Sequence, residues 1–251
     1  MNDNTPNEAE EDNSPPAEGW VQIPVMRGMI EVEPIMDLLD KYGGRIIGGY
    51  ARFCCSPNEQ PRKAQDVDIF PIGANQEQSE AVFAALSKAF TDAGLKLRHE
   101  NNVSISYEVA TEPPFNRCTT IQLIKPVLEG AVVTRGTVEE VLNSFDFTVV
   151  RCCLNPDRKT ATAWASFLND EEKHKLRILN IHCPISSLLR VMKYGRKGYY
   201  MRPVEALKLF RDWEDRSPEY KERMIALFEQ GTFGKLSQVE IDELEALLRV
   251  D

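Results

Sequence analysis

The stretch that decides the reading is "RIIGGYARFCC", Arg45 to Cys55, followed by "DVDIFPIG", Asp66 to Gly73. The first is a short apolar run that ends in a Gly-Gly pair and passes into what reads as a helical turn. The second alternates acidic and apolar residues and closes on Pro71 and Gly73, as a strand does. Alternate side chains of a strand share a face, so Asp66 and Asp68 point the same way, about 7 Å apart. Val67 and Ile69 point the other way, into a core. Two carboxylates on one face repel unless a cation lies between them. Magnesium fits that need, because it takes oxygen ligands and combines one or two carboxylates with substrate phosphates. Two such ions about 4 Å apart clamp an in-line phosphoryl displacement from both ends. Glycine at 48 and 49 lets backbone approach a ligand closely and offer N–H groups to phosphate oxygens. Each motif alone is common, since a DxD can be a solvated edge and a Gly-Gly a plain turn. In sequence they are more specific.

The elements around them read outward from this pair. "EPIMDLLDKYGG" is a helix with Ile35, Leu38, Leu39 and Tyr42 on one face, ended by Gly43-Gly44. "SPNEQPRKAQ" is a loop by composition. "QSEAVFAALSKAFTDAG" is a helix with the stripe Val82, Phe83, Leu86 and Phe90, stopped at Gly94. "LKLRHE", "VSISYEVA" and "TTIQLIK" read as strands. Thr137 and Glu140 form a capping box for "VEEVLNSF". "DFTVVRCCL" and "TATAWASFL" are strand-like again. From Cys183 onward everything reads as helix, with Pro184 at a first helical position and Ser237 and Glu240 as a second capping box. The expected organisation is an acidic tail (1–19), an α/β domain (20–182) and a helical C-terminal region (183–251).

Composition narrows the function. The 251 residues are 42% hydrophobic and 27% charged, which is ordinary for a globular protein. "MNDNTPNEAEEDNSPPAE" holds six acids and no Lys or Arg, and reads as a solvated tail. Net charge is −9, so removing the tail's −6 leaves the body near −3. No extended DNA-binding surface is expected at that charge. No apolar run reaches the length of a membrane span, and the N-terminus lacks the features of a secretory signal. The expected location is cytoplasmic. The six cysteines include two adjacent pairs and no CxxC, and read as reduced, mostly buried thiols rather than metal ligands. His99, His174 and His182 show no metal-like spacing.

One local inversion of sign stands out. Between Arg190 and Arg211 there are seven Lys or Arg and a single acid, Glu205. On the helix "ISSLLRVMKYGRKG", Ile185, Leu188, Leu189 and Met192 make the expected buried stripe. Arg190, Lys193, Tyr194 and Lys197 share another face. Such a run is either a solvated face or a clamp for an anion such as a triphosphate.

"GGYARF…DVDIF" resembles the nucleotidyltransferase superfamily with the DNA-polymerase-β-like fold. "SFDFTVVRCCL", Ser144 to Leu154, is similar to the "RRDFTxNAL" segment of tRNA CCA-adding enzymes and of phage and bacterial nucleotidyltransferase-like proteins. The resemblance covers about residues 44 to 154, and more loosely the helices after 183. It implies an α/β (α+β) nucleotidyltransferase sheet with flanking helices and a helical C-terminal part. It also implies magnesium-dependent transfer of a nucleoside monophosphate from an NTP to an acceptor: an RNA end, a protein or a small molecule. Carried over by position, Asp66 and Asp68 would hold magnesium, and Gly48 and Gly49 the nucleotide phosphates. Arg190 and Lys193 would contact phosphate, and Arg52, just after the Gly-Gly pair, would either touch a phosphate or support the loop. Asp146 would be a further catalytic carboxylate or a sugar contact. The third acid of many members falls at Gln122 here, so Asp146 or Glu108 would substitute, or the site would run on two aspartates. The missing acid also motivates a second expectation, a catalytically silent nucleotide-binding or regulatory module.

Overall fold

A computed structural model describes residues 18–29, 32–58, 66–101, 103–110, 118–126 and 136–229. The tail up to residue 17 and the capping box at Ser237 lie outside the described residues, as does most of the loop after Asn58.

The central element is a five-stranded sheet of β2 (Gly44–Ile46), β3 (Asp66–Pro71), β6 (Cys118–Ile124), β5 (Ser104–Ala110) and β4 (Lys96–Glu100), in that order. β3 and β6 run parallel, and the other neighbours are antiparallel. α1 (Glu33–Tyr42) and α3 (Gln76–Asp92) contribute Ile35, Leu39, Leu86 and Phe90 to the core on one face of it. Val67, Ile69, Ile121, Leu123 and Tyr107 meet them there, which is the apolar half of each strand's alternation. Both helices end as their sequences direct. Gly43 takes a left-handed conformation (φ 85°) and donates its N–H to Leu39 O, closing α1. Asn75, not foreseen from the sequence, caps the start of α3 through Gln78 N–H.

The opposite face of the sheet is divided. At one end Phe70 and Ile124 are buried against Val141 and Leu142 of α4 (Val138–Asn143). The Thr137–Glu140 capping box that starts α4 is formed in both directions. At the other end lie Asp66, Asp68 and Gln122. α4 thus closes half of this face and leaves the carboxylate half for other elements to cover.

A second sheet pairs β1 (Trp20–Pro24), β8 (Thr160–Trp164) and β7 (Cys152–Leu154). It joins the first where Ile47 bridges Cys153. Between them α2 (Gly49–Cys55) buries Tyr50, Ala51, Cys54 and Cys55. Cys54, Cys55, Cys152 and Cys153 are buried thiols, and burial followed by contact with Cys55 pushes the Cys152 thiol well up.

Three elements depart from the sequence reading. The start of "DFTVVRCCL" is a 3-10 turn at Thr148–Val150, with strand only from Cys152. Thr148 is anchored instead by its hydroxyl to Asp170 (2.8 Å) and by its N–H to Arg177 O. The last residues of "TATAWASFL" open α5 (Phe167–Glu172). The region after Cys183 is not purely helical. Between α6 (Pro184–Gly195) and α7 (Pro203–Glu214) the chain turns at Gly198 (φ 87°). There β10 (Tyr200–Met201) pairs in parallel with β9 (Lys175–Leu176). α8 (Pro218–Glu229) follows. Tyr194, Tyr199 and Leu209 of this region share one core with Phe147, Val149, Leu176 and Ile178. The helices after 183 are therefore packed into residues 147–178.

Candidate active site

The Gly-Gly turn is built beside the carboxylates by the ladder itself. Ile47 N–H donates to Asp68 O (3.2 Å), extending the β2–β3 pairing up to the turn. Gly48 follows at φ 88°, ψ −131°, a conformation open in practice to glycine alone. A Cβ at this position would also stand 3.2 Å from the Phe145 ring. Gly48 N–H donates to Cys152 O (2.9 Å) and so pins the turn between the two sheets. This corrects one expectation: the Gly48 amide holds the turn and is not the one presented to a phosphate. Gly49 opens α2.

Asp66 and Asp68 occupy one face of β3, as the alternation requires, and both are part-buried. Burial, then the neighbouring Asp66, push the Asp68 carboxyl up to about 7, while Lys193 and Arg190 pull it back down. The charges of the two cations singled out on the basic helix are thus felt at Asp68, although they lie more than 120 residues further along the chain. Gln122 sits opposite Asp68 in the β3–β6 register, and its Nε2 donates to Asp66 Oδ2 (2.9 Å). The amide at the position of the expected third acid orients Asp66 without adding charge. Glu108 lies on the same face, but on β5, two strands from Asp66 and about 10 Å away. It is paired with Arg98 (3.0 Å). Among the described residues no third carboxylate, His or Cys completes a metal cluster.

Asp146 has partners within the protein and is 3% exposed. Oδ1 accepts from Phe147 N–H (3.1 Å), and Oδ2 from Ser187 Oγ (3.0 Å) and Arg190 Nη1 (2.7 Å). Its geometry is that of a support for Arg190, whose own side chain is half exposed. Arg52 is the second correction. It is 1% exposed and bonds Glu171 Oε1 (2.9 Å) and Tyr199 Oη (2.6 Å), with Tyr199 in turn donating to Glu171 Oε2 (2.6 Å). A guanidinium so enclosed holds α2 to α5 and does not reach a phosphate. Tyr194 is buried and stacks edge-on with Tyr199, so it offers no ring to a base.

α6 buries Met192 of the expected stripe, but the rest of that stripe is less covered than expected. Ile185, Leu188 and Leu189 are only half buried, whereas Ser187 and Tyr194 are buried and Val191 packs beside them. The reason is Asp146 below, which takes the Ser187 hydroxyl. Turning the helix onto this polar contact brings Arg190 and Lys193 to the site. Lys197 was noted only as part of the basic face. It belongs to the same surroundings: burial, then Arg52 and Lys193, lower its pKa to about 8, with Asp66 acting in the opposite sense.

No protein-family model and no curated protein matches the sequence. Solved structures resemble it in fold. A tRNA nucleotidyltransferase complexed with a primer tRNA and an incoming ATP analogue is similar with a TM-score of 0.49 at 16% identity, over 86% of this chain and 56% of the other. A CCA-adding enzyme in complex with CTP gives 0.46 at 20% identity, over 75% and 44%. The CCA-adding enzyme of Thermotoga maritima, complexed with tRNA, gives 0.47 at 16%, over 83% and 55%. The chain spans about half the length of these proteins. It is thus similar in structure, at low identity, to CCA-adding tRNA nucleotidyltransferases. Among the described residues no helix is long and apolar enough to cross a membrane.

Proposed function

We propose that this chain is a magnesium-dependent nucleotidyltransferase, moving a nucleoside monophosphate from an NTP to a hydroxyl-bearing acceptor. The reading rests on one arrangement: two carboxylates on one strand face, beside a glycine turn and within reach of Arg190 and Lys193. The residues fit the metal. Asp66 and Asp68 supply two hard oxygen donors, and a carboxyl pushed up to about 7 by burial and a like charge is relieved by a cation. Bound there, magnesium would offset negative charge on the reacting phosphates. In the transfer the acceptor hydroxyl gives up its proton to solvent and its oxygen bonds to the α-phosphorus, while the bond to the bridging oxygen breaks and pyrophosphate leaves. Arg190, held by Asp146, and Lys193 take up the charge that develops on the departing pyrophosphate. Gly49, at the start of α2, lets the triphosphate approach backbone.

A second reading is a silent nucleotide-binding module, favoured by the amide of Gln122 in place of an acid. Titration calorimetry with each of the four NTPs, with and without magnesium, tests the shared part. Binding is expected only with magnesium, and to fall at least a hundredfold in Asp66→Ala/Asp68→Ala. Metal-independent binding that survives the double substitution overturns the enzyme reading and leaves the silent module; no binding of any NTP overturns the module. Pyrophosphate release from the preferred NTP, measured with candidate RNA, protein and small-molecule acceptors and lost in the same variant, separates enzyme from module.

A further inference from the structure

A second group of cations lies away from this site. β9 and β10 pair in parallel, with Tyr200 opposite Lys175 and Met201 opposite Leu176. Partners in register point to the same side of a sheet, and side chains alternate along each strand. Leu176 and Met201 pack into the core with Phe147 and Tyr194. Lys175 and Tyr200 therefore share the opposite side, and Arg177 and Arg202 follow just beyond the ends of the two strands.

The charges on that side do not balance locally. Lys175 is 7% exposed, yet it makes no hydrogen bond or ion pair among the described residues. Its stem is buried while the ammonium reaches the surface, where a counter-ion can meet it. The two acids nearby are already engaged. Asp170 accepts from Thr148, Ser166 and both Nε and Nη2 of Arg177. Glu205 Oε2 accepts from Ile178 N–H (2.9 Å) and Lys208 (2.8 Å). Arg202 comes no nearer than 3.8 Å to Glu205, and its Nε is buried with no hydrogen-bond partner among the described residues. Burial, then the charges of Arg177 and Arg202, lower the Lys175 pKa, with Asp170 acting in the opposite sense and Lys173 adding to the lowering. Beside them the Tyr200 ring is 51% exposed.

We infer that Lys175 and Arg202, backed by Arg177, form a second anion site on the β9–β10 ledge, built for a phosphate group. An oxyanion there would give the Arg202 Nε and the Lys175 ammonium the partners they lack, and would offset the repulsion among three cations. Two sources carry the same chemistry. One is a small phosphate monoester. The other is a phosphodiester of a polynucleotide, whose base could rest on Tyr200. The site does not depend on the Asp66–Asp68 reading.

The test follows the backbone amide resonances of residues 175, 200 and 202 in the full chain at constant ionic strength. The probes are inorganic phosphate, acetate, and a tetranucleotide without terminal phosphates. The expected result is a saturable shift with phosphate, the tetranucleotide or both, weakened at least tenfold in Lys175→Met and in Arg202→Gln. Asp66→Ala/Asp68→Ala should leave it unchanged, so that failure of the nucleotidyl-transfer reading cannot be mistaken for failure of this one. Saturation by phosphate alone identifies the monoester source, and saturation by the tetranucleotide identifies the diester. The inference is overturned if neither saturates, if acetate binds as well as phosphate, or if both variants bind like the parent. Should Lys175→Met not fold, Arg202→Gln at a part-exposed position decides alone.

Discussion

Asp68 is where the demands of the site and of the fold oppose each other. Unfolded, its carboxyl titrates near 4; folded, burial and then Asp66 raise it to about 7. Between those values the folded chain keeps a proton that the unfolded chain has released. Stability must therefore fall as pH rises through this window. A shift of about three units sets a ceiling of about 4 kcal/mol, and for a part-exposed group roughly half of that is reasonable. Without metal, Asp68→Asn should melt several degrees above the parent at pH 8, and the two should converge at pH 4. Millimolar magnesium should raise the parent at pH 8 and the variant much less. Differential scanning calorimetry reads all four conditions, and a gap that does not change with pH would sink the argument. At this scale the sequence revealed the carboxylates because strand alternation is a local rule. It did not reveal the Gln122–Asp66 bond, which depends on which strand lies beside β3. Nor did it reveal that Arg52 is enclosed, which depends on where Glu171 of α5 arrives.

Among the elements, legibility divides along the same line. α1, α3 and α4 were readable because their stops and starts are written next to them, in Gly43, Gly94 and the Thr137–Glu140 box. α6 is legible only in part: Met192 is buried as its periodicity predicts, but Ser187 is drawn in by a group 41 residues away, Asp146, which accepts its hydroxyl. Apolar periodicity cannot register a buried serine with a distant partner. The same carboxylate holds Arg190, so the rotation of α6 and the placement of its cation share one anchor. Asp146→Asn keeps an acceptor for Phe147 N–H but removes the charge under Arg190. If Asp146 acts through Arg190, nucleotide affinity should drop about tenfold, or about 1.4 kcal/mol. Adding Arg190→Met to Asp146→Asn should then cost little more than Arg190→Met alone. Calorimetric titration of the two single variants and the double variant measures this. Fully additive losses would mean that Asp146 contacts the ligand itself, as a catalytic or sugar-binding carboxylate.

Over the whole molecule, the boundary read near residue 183 meets a core that crosses it. Tyr194, Tyr199 and Leu209 pack on Phe147, Val149 and Ile178, and Arg52 of α2 is tied to Glu171 of α5 and to Tyr199. This buried pair bridges the Gly-Gly turn's own helix and the segment that follows α6. Residues 18–229 should then unfold as one unit. The tryptophans can report it. Trp20 and Trp164 meet edge-on at 5.1 Å in the three-stranded sheet, while Trp213 lies in α7. Urea transitions followed in Trp213→Phe, and separately in a variant keeping only Trp213, should share one midpoint once each variant's own stability is allowed for. Glu171→Ala should lower both together by about 3–5 kcal/mol, because it leaves the Arg52 guanidinium buried without its carboxylate. If Trp213 instead reported an earlier transition that Glu171→Ala left alone, the helices after 183 would be a separate folding unit. The carboxylates and the cations that approach them would then belong to parts that fold apart, and the site would exist only when the two had docked.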